Sequence, residues 1–413
     1  MAALRVLISG AGIAGPSIAF WLSKLGHSCT IFERHQKLRT YGQQIDIRGH
    51  GITVVDRMGL KGEIMKHNVD EEGFQLVNVK GERKLLLGRM EAGDDKSKAF
   101  TSEIEIMRSD LNEILYNATK ERSVYRFGTT VVDYENQPDG VLVTLSDGTA
   151  EKFDLVIAAD GSNSRIRKMM LKRGERIKDN SRTLGFFVAY FRLPKTPEDG
   201  NLATGCMVPK RRFMMTRWHT EEQGQGYLMT RASGGVLKTA LSKDVRAQKE
   251  AFAQVYDGAG WQANRLIAAM HEAEDFYAEE IVQRRTNIWH SGRVVLLGDA
   301  AFAPGLVTGM GTSLAVVGAY VLAGEIGRHG GDVAAGLEGF EKTMRPFVQQ
   351  AQIPSVAAWR LMWPNSALGV RMLHFMIKAA MRLKVPALME RFQSESKWTL
   401  PRYEELLGGN VRG

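Results

Sequence analysis

Three glycines in the turn Gly10-Ala11-Gly12-Ile13-Ala14-Gly15 follow a short apolar run at residues 4–9, a spacing suited to gripping a pyrophosphate. The first glycine permits a tight bend, the second lets backbone approach the phosphates, and the third lets a helix pack closely on a sheet. Ile13 and Ala14 lead into that helix, whose partially positive end faces the anion. Glu33 stands roughly 20 residues on, where an acidic side chain accepts hydrogen bonds from ribose hydroxyls. Arg34 beside it reads as a solvent or adenine-side neighbour, not a selector for a 2′-phosphate. Far downstream, the apolar run 293–297 ends in Gly298-Asp299, with Pro304 shortly after. A carboxylate there can accept from sugar-alcohol hydroxyls, and the glycine before it leaves room for their approach. Gly309-Met310-Gly311-Thr312-Ser313 then opens a helix whose free amides and dipole favour negative charge on a ring edge.

Positioning these groups requires a particular order of elements. Residues 4–9, 13–25 and 28–32 form a βαβ unit. Residues 44–58 contain a second turn into a helix that ends at Gly59, and Ser109, with Asn112-Glu113 close behind, caps another helix. Residues 131–133 and 141–145 form a hairpin closing on Ser146-Asp147-Gly148. Residues 153–158 form a buried strand leading to Asp160-Gly161. From 184 the pattern turns to antiparallel strands at 184–193, 207–208, 212–218 and 226–231, with a helix at 245–255. A parallel-type strand returns at 293–297, and a helix rich in small residues spans 311–326. The predicted fold is α/β: a Rossmann-like nucleotide domain in two parts, 1–170 and 282–345, interrupted by a mainly β domain at 171–281. A C-terminal helical segment, 346–413, bridges the two and is interrupted at Pro354, Pro364 and Pro386.

A nicotinamide fold needs only the first glycine turn, whereas a flavin whose ring system is held deep inside a protein needs the Gly298-Asp299 segment as well. The chain therefore reads as a flavoprotein. Both stretches, together with Asp154-Leu-Val-Ile-Ala-Ala-Asp160-Gly161-Ser-Asn-Ser164-Arg165-Ile-Arg167, resemble the single-component, group A flavin monooxygenases, the aromatic hydroxylase family that includes tetracycline-inactivating enzymes. The resemblance implies the family's FAD-binding fold of the GR2 type, with tightly bound FAD, transient NADPH or NADH, and O2. It implies that Asp160 and Gly161 serve both flavin and nicotinamide. Arg108 matches the arginine that reaches the flavin ribityl chain or pyrophosphate, and Arg48 matches a catalytic-site residue beside the mobile flavin ring. The implied reaction runs through a flavin C4a-hydroperoxide that delivers one oxygen atom to an electron-rich aromatic or polycyclic small molecule. Epoxidation or Baeyer-Villiger insertion would use the same intermediate. Where many relatives have His after Gly-Asp-Ala-Ala, this chain has Phe302. Phe186, Val188, Tyr190 and Arg192 on one strand, with Met207, Met214, Thr216 and Trp218 on its neighbours, are the expected substrate linings.

The composition narrows the remaining classes. A chain of 413 residues with 44% hydrophobic and 24% charged residues can bury a substantial core. Its net charge of +9 is dispersed, apart from 165–178 and the C-terminal stretch, and neither an RNA-binding signature nor a zinc spacing accompanies it, so no nucleic-acid partner is expected. Cys29 and Cys206 lie in apolar runs, which points to a reducing, cytoplasmic setting. No metal is expected, since His35, His50, His219 and His290 lack ligand spacing. The glycines place the N-terminal apolar stretch in the mature protein rather than in a signal peptide. Residues 368–392 interleave Met, Leu and Phe with Arg and Lys. Packing across the domains is the favoured reading there, and peripheral membrane contact is the lesser one. A monomer and a dimer are both compatible with the sequence. A dehydrogenase would leave Gly298-Asp299 idle, a flavin halogenase would need Trp-x-Trp-x-Ile-Pro, and a silent flavin-binding protein would stay yellow but inert to both nicotinamides.

Overall fold

The computed structural model describes residues 2–39, 42–88, 103–232, 235–305, 308–352, 362–383 and 398–408. Its nucleotide domain is built on a six-stranded sheet in the order His290–Ser291, Val294–Leu296, Leu155–Ala158, Arg5–Ser9, Ser28–Glu33, Ser123–Phe127. Every neighbouring pair is parallel except the first. Val6, Leu7, Ile8, Leu155, Val156, Ile157 and Val294 to Leu296 are fully buried, as continuous apolar strands covered on both faces must be. The chain leaves Arg5–Ser9 toward Ser28–Glu33 on one side and joins Leu155–Ala158 on the other. The crevice at that reversal is where open α/β sheets bind ligands.

Helix Gly311–Arg328 is buried along almost its whole length, from Ser313 to Gly327. Its small residues let neighbours come close: a Cβ on Gly324 would lie 2.2 Å from the Tyr403 ring. The helix packs against Ala14–Lys24, His50–Arg57 and Val333–Ala351. Its N-terminus is thereby fixed at the crevice.

The second sheet has seven strands, in the order Tyr277–Gln283, Arg182–Pro194, Gln223–Arg231, Arg212–Trp218, Leu202–Val208, Gly73–Val77, Arg83–Gly88. Its last two strands come from the stretch expected to belong wholly to the first part of the nucleotide domain, and Gly73–Val77 pairs in parallel with Leu202–Val208. No strands are expected here from the sequence, and a partner so distant along the chain leaves no local trace. Helices Val236–Ala240, Val245–Tyr256 and Ala263–Glu272 cover one face of this sheet. The other face looks toward the crevice, joined by Gln225, whose Oε1 accepts from Gln44 N at 3.0 Å and whose Nε2 donates to Gly42 O at 2.8 Å.

Two local readings are corrected. Helix Arg108–Asn117 begins one residue before Ser109, with Met107 as an extended N-cap and no side-chain cap. The Ser109 hydroxyl instead donates to Asp110 Oδ1. The hairpin pairs Val131–Gln137 with Gly140–Leu145, so it closes around Pro138-Asp139, while Ser146 to Gly148 turns into a third strand, Ala150–Phe153. The C-terminal segment touches both domains. Helix Ala367–Arg382 packs on the large sheet. Trp398 stacks on Phe347 at 4.5 Å, and the Tyr403 hydroxyl donates to Glu325 Oε1 at 2.6 Å. Pro354 and Pro386 lie outside the described residues.

Candidate active site

The glycine turn departs from Ser9 at the crevice. Gly10 has φ 109°, and a Cβ on it would sit 2.5 Å from Ala159 O on the adjoining strand end. A Cβ on Gly15 would lie 2.0 Å from Gly10 O. Both are packing glycines. Gly12 differs, because the nearest atom to its Cβ position is not backbone but the tip of a flexible side chain, Arg108 Nη2, at a contact distance of 3.7 Å. A guanidinium thus lies beside the backbone turn, the pair of groups that a diphosphate calls for. Ile13, the N-cap of helix Ala14–Lys24, supplies no side-chain cap, so the first helical amides need another acceptor. Glu33 Oε2 accepts from Ala11 N at 2.9 Å and Oε1 from His35 N at 3.0 Å, which pins the carboxylate beside the turn. Arg34 is exposed. Gly10→Ala forces a strained φ and a backbone clash, so the variant is expected to lose most of its bound flavin and several degrees of Tm. Flavin absorbance and a thermal melt of the purified protein check this.

Asp160, Glu279 and Asp299 share an informative environment. Asp160 and Glu279 are half-buried and Asp299 is exposed at its surface, yet protein crowds around each closely enough that desolvation raises its pKa. Carboxylates that are crowded by protein yet reachable by water can meet a bound polar ligand. For Asp299 this desolvation is opposed by Arg108, Arg284 and Arg167; for Glu279 the hydrogen bond from Tyr277 and the charges of Arg108 and Arg39 oppose it. Asp160 Oδ2 accepts from Arg165 N at 2.7 Å, while Oδ1 is buried without a partner. Buried Arg167 donates to Ala300 O at 2.7 Å and to Ser162 O at 2.6 Å, tying the turn at Asp160-Gly161 to the Gly298-Asp299 segment. Gly298 has φ 63°, and a Cβ on it would lie 3.1 Å from Ala14, so the two halves of the site meet there.

Arg48 lies on the opposite side of the helix Gly311–Arg328 N-terminus. Its backbone N–H donates to Ser313 Oγ at 2.8 Å and its Nη2 to Asp46 Oδ2 at 2.9 Å, while Nε is buried without a partner. Gly309 (φ 63°) abuts this pair, a Cβ there falling 3.0 Å from Asp46 Oδ2. Gly311 meets nothing within 4 Å, leaving the helix entrance open, with Thr312 half-buried beside it. Pro304 O accepts from Gln283 Nε2 at 3.2 Å. Phe302 is turned away from the cleft, into Trp289 at 4.8 Å.

The expected substrate linings divide between two faces. Phe186, Val188, Tyr190 and Met207 form one buried cluster with Leu184, Tyr227 and Ile281 on the cleft side. Met214 and Trp218 belong to the cluster under the three helices, and Thr216 shares their parity, so these three are corrected to the far face. Their alternates, Phe213 and Met215, pack on the cleft-side cluster instead. Arg192 is exposed and faces Asp275. Sequence reasoning also missed Glu279, Arg284 and the buried trio Glu71, Glu105 and Arg217 behind Asp46. No short motif marks them, because each is defined only by what the sheets bring to it.

The residues present fit FAD. A tight glycine turn lies beside Arg108, the carboxylates Asp160, with its orphaned Oδ1, and Asp299 stand in the middle, and an open helix N-terminus beside Arg48 closes the far end. Fold and site together define a dinucleotide-binding flavoprotein. Residues 3–352 match the family described as FAD binding domain. The chain is 38% identical to an FAD-dependent monooxygenase of Sarocladium schorii, over 98% of this chain and 100% of that protein. It is likewise 38% identical to a flavin-dependent monooxygenase of Phoma sp, over 90% of each. The crystal structure of tetracycline destructase Tet(55) superposes with a TM-score of 0.81 at 26% identity, covering 97% of this chain and 99% of that one. The chain belongs to the FAD binding domain family and is a flavin-dependent monooxygenase.

Proposed function

We propose that this enzyme hydroxylates an aromatic or polycyclic small molecule, with NADPH or NADH as reductant. Bound FAD, once reduced, supplies the activation of O2. Arg108 and the Gly10 to Gly15 turn hold the pyrophosphate, Asp299 the ribityl hydroxyls, and Arg48 with the amides at Gly311 to Ser313 the negatively charged ring edge. The observation that supports the substrate class is the cleft-side wall of the large sheet, where Phe186, Val188, Tyr190, Met207 and Tyr227 cluster with Phe213, Met215 and Tyr277. The Tyr190 and Tyr227 rings meet edge to face at 5.2 Å, and Tyr277 stacks on Tyr190 at 6.3 Å. Such a wall binds flat rings and keeps water from the activated oxygen. The Tyr190 hydroxyl is buried without a partner, and burial holds its pKa well above that of a free phenol. It therefore remains a donor for an oxygen of the substrate.

The test is a screen of phenols, quinones and polyketides with the purified yellow protein, following NAD(P)H and O2 consumption together with product mass. A compound that accelerates NAD(P)H oxidation and gains one oxygen atom supports the reading. Oxidation that ends only in hydrogen peroxide across aromatic and polycyclic compounds, or inertness to both nicotinamides, rejects it.

A further inference from the structure

Helix Ala367–Arg382 has two apolar faces, and only one is buried. Val370 and Leu373 lie inward, in the same cluster as Phe186, Val188, Tyr190 and Met207. On the outer side Leu368, Met372, Phe375, Met376 and Leu383 are between 55% and 75% exposed, and their spacing places them on a single helical stripe. Large apolar side chains scattered singly on a surface are ordinary, whereas a contiguous stripe marks a surface that meets an apolar partner. Arg371, Lys378 and Arg382 are exposed along one edge of that stripe. Residues 362–383 contain no acidic residue.

We infer that the exposed face of helix Ala367–Arg382 docks on an anionic lipid surface, its apolar stripe in the acyl boundary and its arginines and lysine on the headgroups. Charge selects this occupant: a stripe bordered only by cations complements anionic headgroups, and its length and moment suit a helix lying in the interface plane. No helix among the described residues is long and apolar enough to cross a bilayer, so the attachment is peripheral. The same helix walls the cleft-side cluster from outside. Taken with the proposed function, this places the outer wall of the substrate chamber against the bilayer, the arrangement that serves a lipid-soluble ring compound.

The experiment is flotation of the FAD-loaded protein with vesicles of phosphatidylcholine alone and of phosphatidylcholine with phosphatidylglycerol. The wild-type protein is expected to float with the anionic vesicles and to be released by high salt. Phe375→Glu and Met372→Glu, which put a charge on the stripe, and Lys378→Glu, which removes a headgroup contact, are each expected to weaken binding at least about tenfold. Flavin content and the melting temperature should stay unchanged, since these side chains contact no core cluster. Two results overturn the inference: a wild-type protein that stays at the bottom of the gradient with anionic vesicles, or a stable dimer that Phe375→Glu splits, which assigns the stripe to a second copy of the chain. Neither readout requires turnover, so the docking face and the substrate class fail separately.

Discussion

Asp299→Ala is expected to purify as a largely colourless protein with its fold intact. The carboxylate stands at the carboxyl end of the central sheet, reachable from the cleft and faced by Arg108, Arg284 and Arg167. A charge-assisted hydrogen bond to a ribityl hydroxyl contributes about 1.5–3 kcal/mol, so its loss weakens FAD by about 10- to 150-fold for each bond removed. The apoprotein should not suffer in proportion. Desolvation raises the pKa of Asp299 above that of the unfolded chain. The folded state therefore binds this proton more tightly, and its stability falls as pH climbs from the unfolded toward the folded pKa. Because Asp299 keeps an exposed surface, water screens that penalty and leaves it small, so the variant should melt close to the wild-type apoprotein temperature near neutral pH. Flavin-to-protein absorbance after desalting, with melts of both apoproteins, decides the matter. Wild-type FAD stoichiometry in the variant rejects the assignment.

Gly298-Asp299 was legible in the sequence because a short apolar run ends directly in a glycine and a carboxylate, a pattern that is wholly local. The glycine turn was legible for the same reason: its geometry is local, and Gly10 and Gly15 meet backbone within a few residues or on the adjoining strand. What the sequence concealed is long-range. Gly73–Val77 goes unread as a strand, because its partner Leu202–Val208 lies far away in sequence. On Arg212–Trp218, periodicity separates Met214 and Trp218 from Phe213 and Met215 but cannot say which set meets the helices, since both are apolar. Glu279 shows the limit most clearly. Its strand carries two consecutive glutamates in an ordinary solvated pattern, and only the fold turns one of them into a carboxylate facing Asp299 and Arg108.

The buried trio Glu71, Glu105 and Arg217 was equally invisible, and it supplies the other large effect. Arg217 Nη2 donates to Glu71 Oε2 at 2.5 Å and lies 3.1 Å from both Glu105 oxygens, joining the large sheet to the ribbon that carries Asp46 and Arg48. Burial alone would lower the guanidinium's pKa, but the two carboxylates hold it well above the ordinary value. Arg217→Met leaves those acids in a dry site without a counter-charge and is expected to cost about 3–5 kcal/mol in urea denaturation. The pH dependence gives the loss a signature. Burial, with Asp46 and Glu71 adding to it and Arg217 opposing it, pushes the Glu105 carboxyl up to about 8. Its unfolded value is about 4.3. Between those limits the folded state keeps a Glu105 proton that the unfolded chain has released, so this group's contribution to wild-type stability falls with rising pH by at most about 1.4 kcal/mol per unit. Without Arg217 the folded pKa climbs further, and the variant goes on losing stability at alkaline pH after the wild-type slope has flattened. Glu105→Gln with Arg217 retained should remove this share of the wild-type slope, because the Glu105 proton is then no longer at stake, while the smaller share of Asp160, Glu279 and Asp299 persists. A deficit for Arg217→Met below about 1 kcal/mol that stays constant with pH would mean that water already reaches these charges. Asp46, which aligns Arg48, would then rest on the ribbon's own pairing and not on a locked ionic cluster.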